Sequence, residues 1–224
     1  SLNNVYIYKN DIYVLDVFGK VFKNNKETIF IDISSETINR FDEGRRETGL
    51  FSMAFHPTEN YFLISFTNKE SCLTVKKYTL DIDGNPNLNS GEVIFKVPNT
   101  AQIHFSGSLI WSEYFQDFLL NVGDMGLNPN SEYSSDPLDT TSPKGKILFM
   151  NKKISSPDLL ALNNSTPPRN DLLAFGLRNP WRSFEYKNYL FVPDVGLKSD
   201  EELNIVDLNN FNTTKKPYLF GWPH

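Results

Sequence analysis

Apolar residues along this chain recur in short bursts bounded by Asn, Gly, Asp and Pro, and almost nowhere at helical spacing over the length a helix needs. The pattern predicts an all-β protein. Strands are expected over Val5–Tyr8, Ile12–Val17, Lys20–Lys23, Thr28–Ile33, Phe51–Phe55, Tyr61–Phe66, Leu73–Leu80 and Val93–Val97. They continue over Ser108–Trp111, Phe118–Val122, Lys146–Met150, Ser183–Tyr186, Tyr189–Val192, Leu203–Val206 and Tyr218–Phe220. Two further pieces, Pro157–Leu162 and Asp171–Phe175, read as helical turns or loops.

An aromatic-rich strand pair closed by a tight polar turn recurs along the chain. Tyr6 to Val14 is one copy, Phe55 to Leu63 the next, then Trp111 to Leu119 and Phe184 to Leu190. The strands fall into four groups, near residues 1–47, 48–100, 101–160 and 161–224, and roughly 50 residues per four-stranded unit is the spacing of propeller blades. A sandwich also accommodates short strands, but repetition favours a single partial propeller of about four blades. The long irregular stretch from Gly126 to Lys144, rich in Asn, Ser, Pro and Asp, is the kind of loop that carries function.

Charge narrows the partners. With 22 Lys+Arg against 27 Asp+Glu, a net charge of -5 and no basic run, the chain has no surface suited to tracking nucleic-acid phosphates. No stretch approaches the roughly 18–20 apolar residues a spanning helix needs, so the sequence reads as that of a soluble protein. One cysteine, Cys72, excludes an internal disulfide and a cysteine-built zinc site.

Several segments carry candidate chemistry. Asp81-Ile82-Asp83-Gly84-Asn85-Pro86-Asn87 with Glu92 has oxygen ligands at calcium-loop positions, but Pro86 stands where the loop's sharp turn demands Gly, and a solvated hairpin is the better reading. Of the three histidines, His56 precedes Pro57 as a turn residue and His224 is terminal. His104 sits before small residues at a strand entrance, where an imidazole can face a propeller's central channel and remove a proton near neutrality. In Gly176-Leu177-Arg178-Asn179-Pro180, Arg178 offers a fork for carboxylate or quinone oxygens and Asn179 adds a donor and an acceptor. In Pro193-Asp194-Val195-Gly196-Leu197-Lys198-Ser199-Asp200-Glu201-Glu202-Leu203-Asn204, the glycine lets backbone carbonyls approach a ligand or cation, and the clustered acids could orient Arg178 or bind a cation.

These segments line up in the order of a known family. Glu47-Thr48-Gly49-Leu50-Phe51-Ser52-Met53-Ala54-Phe55-His56-Pro57 resembles its E-x-G-L-L-x-x-A-F-H-P stretch, and His104-Phe105-Ser106-Gly107 its H-x-[SG]-G. Gly123-Asp124 with Gly145-Lys146-Ile147-Leu148 resembles G-D … G-K-[IV]-L. Gly176 to Pro180 matches G-x-R-N-P, Asp194-Val195-Gly196 with Glu201-Glu202-Leu203-Asn204 resembles D-[VQ]-G … E-E-[IL]-N, and Gly221-Trp222-Pro223 matches G-W-P. The family is that of the glucose/sorbosone dehydrogenases, soluble quinoproteins built as six-bladed propellers.

The resemblance implies pyrroloquinoline quinone (PQQ) held over the channel through a calcium ion, and oxidation of an aldose at its anomeric carbon to the lactone with an external electron acceptor. The matching histidine, His104, would take the hydroxyl proton, because the resulting alkoxide is a far better hydride donor. Arg178 and Asn179 would hold the quinone oxygens, and the Gly196 and Leu197 carbonyls would face the calcium. Glu47 stands where some members hydrogen-bond the cofactor. Leu197 replaces a proline of some members, a change that a backbone ligand tolerates.

Family members continue for two further blades that supply more cationic cofactor contacts. The chain is therefore expected to be a piece of a longer protein, inactive alone, and by family habit periplasmic or extracellular. The same propeller also resembles a non-catalytic extracellular binding module of the hedgehog-interacting-protein type. Retention of both His104 and Arg178-Asn179, and the single cysteine, favour the enzyme.

Overall fold

The computed structural model describes residues 2–38, 47–99, 101–126, 136–152, 169–197 and 201–222. It forms two compact units, Ser1–Ile103 and His104–His224.

In the first unit, β1 (Leu2–Tyr8), β2 (Asp11–Asp16), β3 (Lys20–Lys23) and β4 (Ile29–Asp32) form one antiparallel meander. A second meander is made by β5 (Leu50–Phe55), β6 (Tyr61–Thr67), β7 (Cys72–Thr79) and β8 (Glu92–Pro98). The turns follow from their chemistry. Lys9 and Asn10 both take positive φ (47° and 67°), the conformation of the tightest hairpin connection, directly after the Tyr8↔Asp11 pair. β2 alternates, with Tyr13 and Leu15 buried, whereas β5 and β6 are buried along their whole length. The core between the two sheets follows from this: Tyr13, Leu15, Val21 and Ile31 meet Met53, Phe55, Phe62 and Ile64, and Tyr8 stacks on Phe55 with ring centroids 4.2 Å apart.

The Asp81 loop closes as the expected hairpin. Asp81 accepts the backbone N–H groups of Asp83 (3.0 Å) and Asn85 (2.8 Å), and the Asn85 amide holds this carboxyl below its ordinary range. Its oxygens serve the turn.

In the second unit, β9 (Ser106–Ser112), β10 (Asp117–Val122), β11 (Lys146–Phe149) and β12 (Leu172–Phe175) pair antiparallel in sequence order, and β16 (Tyr218–Leu219) adds in parallel beside β12. A three-stranded sheet of β13 (Phe184–Tyr186), β14 (Tyr189–Asp194) and β15 (Glu202–Asp207) follows. The core of this unit joins Leu119, Ile147, Phe149 and Leu173 of the first sheet to Leu190, Val192 and Val206 of the second.

All fifteen expected strands form, with ends shifted by a few residues. Two elements depart from expectation. Asp171–Phe175, read as a turn or loop, is strand β12: a run of four apolar residues has no period to distinguish its state, and pairing with β11 decides it. It carries the third sheet past residue 160. A helix, α1 (Leu208–Thr214), was not expected. Asp207 caps it by accepting from the amides of Asn209 and Asn210, and Lys215 ends it in the left-handed conformation. It buries Leu208 and Phe211, and Phe211 meets the Phe115 ring edge-on. The segment Pro157–Leu162 lies outside the described residues.

Lys146 opens β11 as a fully buried side chain. Its Nζ donates to the carbonyls of Asp136 (2.8 Å), Pro137 (2.8 Å) and Lys144 (2.5 Å), which uses all three ammonium hydrogens. Burial pushes its pKa down to about 7, against the upward pull of the Asp139 and Asp136 carboxylates. The cage fixes Gly145, whose N–H donates to the Gly123 carbonyl (3.0 Å) and whose carbonyl receives the Leu177 N–H (3.2 Å). Two site-bearing turns are thereby tied together. Lys146→Met retains the bulk but takes the ammonium donor from three carbonyls, of which Pro137 keeps the Gly176 N–H and Asp136 the Asp139 N–H while Lys144 loses its side-chain donor, and is expected to destabilise the protein by about 1–3 kcal/mol. The check is a lower denaturant midpoint at unchanged slope.

Candidate active site

The second unit gathers a site from four chain segments. The first enters β9, where His104 and Ser106 both have positive φ (52° and 56°). Such backbone is costly for residues other than glycine and persists only where its surroundings enforce it. The second follows β10. A Cβ on Gly123 would lie 1.9 Å from the His104 carbonyl oxygen and 3.2 Å from Asn179 Oδ1, so only glycine lets these segments cross so closely. The crossing delivers Asp124 to the imidazole.

Asp124 Oδ1 lies 2.7 Å from His104 Nδ1 and accepts the Gly126 N–H at 2.8 Å. Its Oδ2 accepts the Trp222 indole N–H at 3.0 Å. On the other side of the ring, Arg178 Nη2 lies 3.1 Å from His104 Nε2. A guanidinium can only donate, so Nε2 presents its lone pair and the ring proton sits on Nδ1, donated to Asp124. This is the tautomer a base requires. The His104 side chain is 12% exposed against 3% for Asp124, so the ring can be reached while its carboxylate partner is shielded.

Arg178 and Asn179 come from the turn after β12. Their backbone N–H groups donate to Asp194 Oδ2 (2.9 Å) and Oδ1 (2.6 Å) at the end of β14. Burial pushes the Asp194 carboxyl up to about 6, against the pull of these two amides and with the neighbouring Glu202 and Asp124 charges adding to the rise. The Arg178 guanidinium lies over the Trp222 ring, 5.5 Å from its centroid. Its Nη1 donates to the carbonyls of Val195 (2.8 Å) and Gly196 (3.0 Å). Two buried side-chain atoms of the cluster have no partner among the described residues: Arg178 Nε, a donor, and Asn179 Oδ1, an acceptor. A buried unpaired polar atom is unfavourable unless a ligand completes it.

His104, Arg178, Asn179 and Gly196 are therefore brought together. Leu197 follows Gly196 with an exposed side chain. Glu47 belongs to the first unit, where its N–H donates to the Gln102 carbonyl at 2.9 Å, and is not among the residues the second unit assembles. Asp194, one of the acids expected to orient Arg178, does so through the Arg178 backbone, whereas nothing in the sequence pointed to Asp124 or Trp222.

The quinone and the calcium fare differently against these residues. The orphaned Arg178 Nε suits an acceptor-rich planar ligand, and Asn179 Oδ1 suits a hydroxyl or ring N–H. The calcium position does not fit as it stands. The Gly196 carbonyl already accepts the Arg178 Nη1 donor. A divalent ion sharing that oxygen would meet the guanidinium's like charge at close range, a repulsion on the order of several kcal/mol.

An all-β propeller fold with a carboxylate-oriented imidazole facing a guanidinium defines a class of site suited to proton abstraction. The glucose/sorbosone dehydrogenase family model matches residues 28–224, and the chain belongs to that family. Its fold is similar to those of a Thermus thermophilus oxidoreductase assigned as a glucose dehydrogenase (TM-score 0.69, 18% identity, 99% of this chain and 63% of that one) and of the soluble aldose sugar dehydrogenase of Escherichia coli (0.69, 16%, 99% and 63%). A further glucose dehydrogenase structure gives 0.67 at 16% identity, over 98% and 63% of the two chains. The chain thus spans about 63% of the length of these proteins, and its four sheets correspond to four blades of a β-propeller. A search of curated proteins finds no match.

Proposed function

We propose that the full-length protein is a quinoprotein sugar dehydrogenase, oxidising an aldose at its anomeric carbon to the lactone with PQQ as the hydride acceptor. The observation that carries the reading is the His104 ring, held by Asp124 through Nδ1 and offering its Nε2 lone pair to a donor. Bound PQQ supplies the two-electron acceptor that no side chain provides. Everything else falls to the chain. Arg178 Nε and the Asn179 amide hold ligand oxygens and hydrogens in a buried setting where such bonds are strong. His104 Nε2 takes the anomeric hydroxyl proton as the C–H bond gives up its hydride, so the sugar loses one proton from oxygen and one hydrogen with its electron pair from carbon. Asp124 then faces the imidazolium that results.

A binding module has no use for this dyad. The test is reconstitution of the full-length protein with PQQ and calcium, and dye reduction with a panel of aldoses. Lactone is expected to appear in step with reduced dye, and no reduction with any aldose would overturn the reading.

A further inference from the structure

Two buried polar side chains beside the site have no part in the chemistry of the base. β10 is buried throughout, and from Phe118 to Val122 its residues are apolar except Asn121, which is 1% exposed. An amide among such neighbours is unfavourable unless it is bonded. Asn121 Nδ2 donates to Ser183 Oγ at 2.5 Å and to the Pro180 carbonyl at 3.3 Å. The same carbonyl accepts the hydroxyl of Ser106. Ser106 is itself strained: its φ of 56° is a conformation that favours glycine, and it stands two residues after His104 at 52°. What a serine offers there and a glycine does not is the hydroxyl on Pro180.

Pro180 ends the turn that carries Arg178 and Asn179, and the backbone of that turn is bonded at every position. The Arg178 and Asn179 amides go to Asp194, and the Trp181 N–H to the Pro193 carbonyl at 2.7 Å. The Arg178 carbonyl accepts the Asp124 N–H at 2.7 Å and the Asn179 carbonyl the Val195 N–H at 3.3 Å. β14 and the residue after it grip one side of the turn; Ser106, Asn121 and the Asp124 amide tie the other to the segments that bear the base and its carboxylate. A fixed backbone presents side chains whose orphaned atoms, Arg178 Nε and Asn179 Oδ1, still await partners.

We propose that Ser106 and Asn121 are positioning residues: by holding the Pro180 carbonyl they set the Arg178–Asn179 turn at one distance from the His104 ring, so that base and ligand-holding groups keep a single relative geometry. The proposal rests on the reading of His104 as the base and adds what fixes that base against the groups that hold the ligand.

The test uses full-length protein carrying Ser106→Ala or Asn121→Leu, neither of which adds charge. In ligand-free protein with isotope-labelled histidine, the Nδ1 and Nε2 resonances of His104 report on Asp124 and Arg178 separately. Both variants are expected to shift the Nε2 resonance as the Arg178 donor moves, and to leave Nδ1 in place on Asp124. After reconstitution, Ser106→Ala is expected to lower kcat about ten- to hundredfold with KM for the aldose within about threefold of wild type, and Asn121→Leu, which leaves Ser106 on the carbonyl, about three- to tenfold. A merely structural role would lower the denaturant midpoint without moving Nε2.

An unmoved Nε2 resonance in folded Ser106→Ala overturns the proposal whatever its kcat, as does a wild-type kcat in spite of a shifted resonance. If Ser106→Ala does not fold, Asn121→Leu decides by the same two measurements. The two readings fail separately. If the wild type turns over no aldose, the dehydrogenase reading falls and the Nε2 resonance alone decides the positioning; turnover by the wild type with Nε2 unmoved in the variants does the reverse.

Discussion

Replacing His104 with alanine is expected to lower kcat of the reconstituted full-length protein by about a thousand- to ten-thousand-fold, with PQQ affinity within about threefold of wild type because the acceptor-binding groups belong to Arg178 and Asn179. An anomeric hydroxyl holds its proton tightly at neutral pH, and hydride leaves readily only from the alkoxide. Without a base, water must remove the proton, and the advantage of a positioned lone pair is lost. The substitution should not unfold the site. Asp124 keeps the Trp222 and Gly126 donors, and Arg178 keeps the Val195 and Gly196 carbonyls. Single-turnover dye reduction alongside a PQQ fluorescence titration separates the two quantities; turnover at the wild-type rate would remove the imidazole from the chemistry.

The strands were legible because this fold writes them locally. An aromatic-rich pair around a polar turn specifies its own hairpin, so Tyr6 to Val14 and Phe184 to Leu190 could be placed without knowing their neighbours. What escaped was set from a distance. Leu172 to Phe175 is too short to show a period and becomes a strand because β11 and β16 flank it. The helix at Leu208 depends on Asp207 as its cap and on an apolar seat for Phe211.

The site divides in the same way. His104 and Arg178 were recognisable from side-chain chemistry and from their motifs, since an imidazole beside small residues and an Arg-Asn-Pro turn announce their own properties. Asp124 was not. A carboxylate after a glycine at a strand end looks like any turn residue until Gly123 permits the crossing that sets it against a ring twenty positions earlier. Asp194 lies in an acid-rich segment expected to orient Arg178, and holds its backbone; Trp222 acts on Asp124 from ninety-eight positions away, and no spacing rule in a single sequence connects the two. The calcium ligands show the limit of carrying over roles: the backbone at Gly196 is where it was expected, but its oxygen serves a guanidinium.

Asp124→Asn is expected to be nearly as damaging as loss of the base itself, about a thousand- to ten-thousand-fold in kcat, by analogy with removal of the carboxylate behind a catalytic histidine in serine proteases. The reasoning follows from hydrogens. Asp124 has about four acceptor sites and serves three donors, His104 Nδ1–H, the Gly126 N–H and the Trp222 N–H. Asparagine has one oxygen for these three. If that oxygen faces Trp222, its amide N–H groups face the imidazole, Nδ1 must accept, and the proton moves to Nε2, where it removes the lone pair and opposes the Arg178 donor. If the oxygen faces His104 instead, the indole N–H loses its acceptor and the imidazolium faces a neutral group. Trp222→Phe isolates the smaller of these effects: it deletes one donor to Asp124 while keeping an aromatic face beneath Arg178, and should cost about three- to tenfold in kcat with an altered pH profile. KM for the sugar should change little in either variant, since neither group is proposed to touch the substrate. A kcat for Asp124→Asn within about tenfold of wild type would mean that the tautomer of His104 is held by something else.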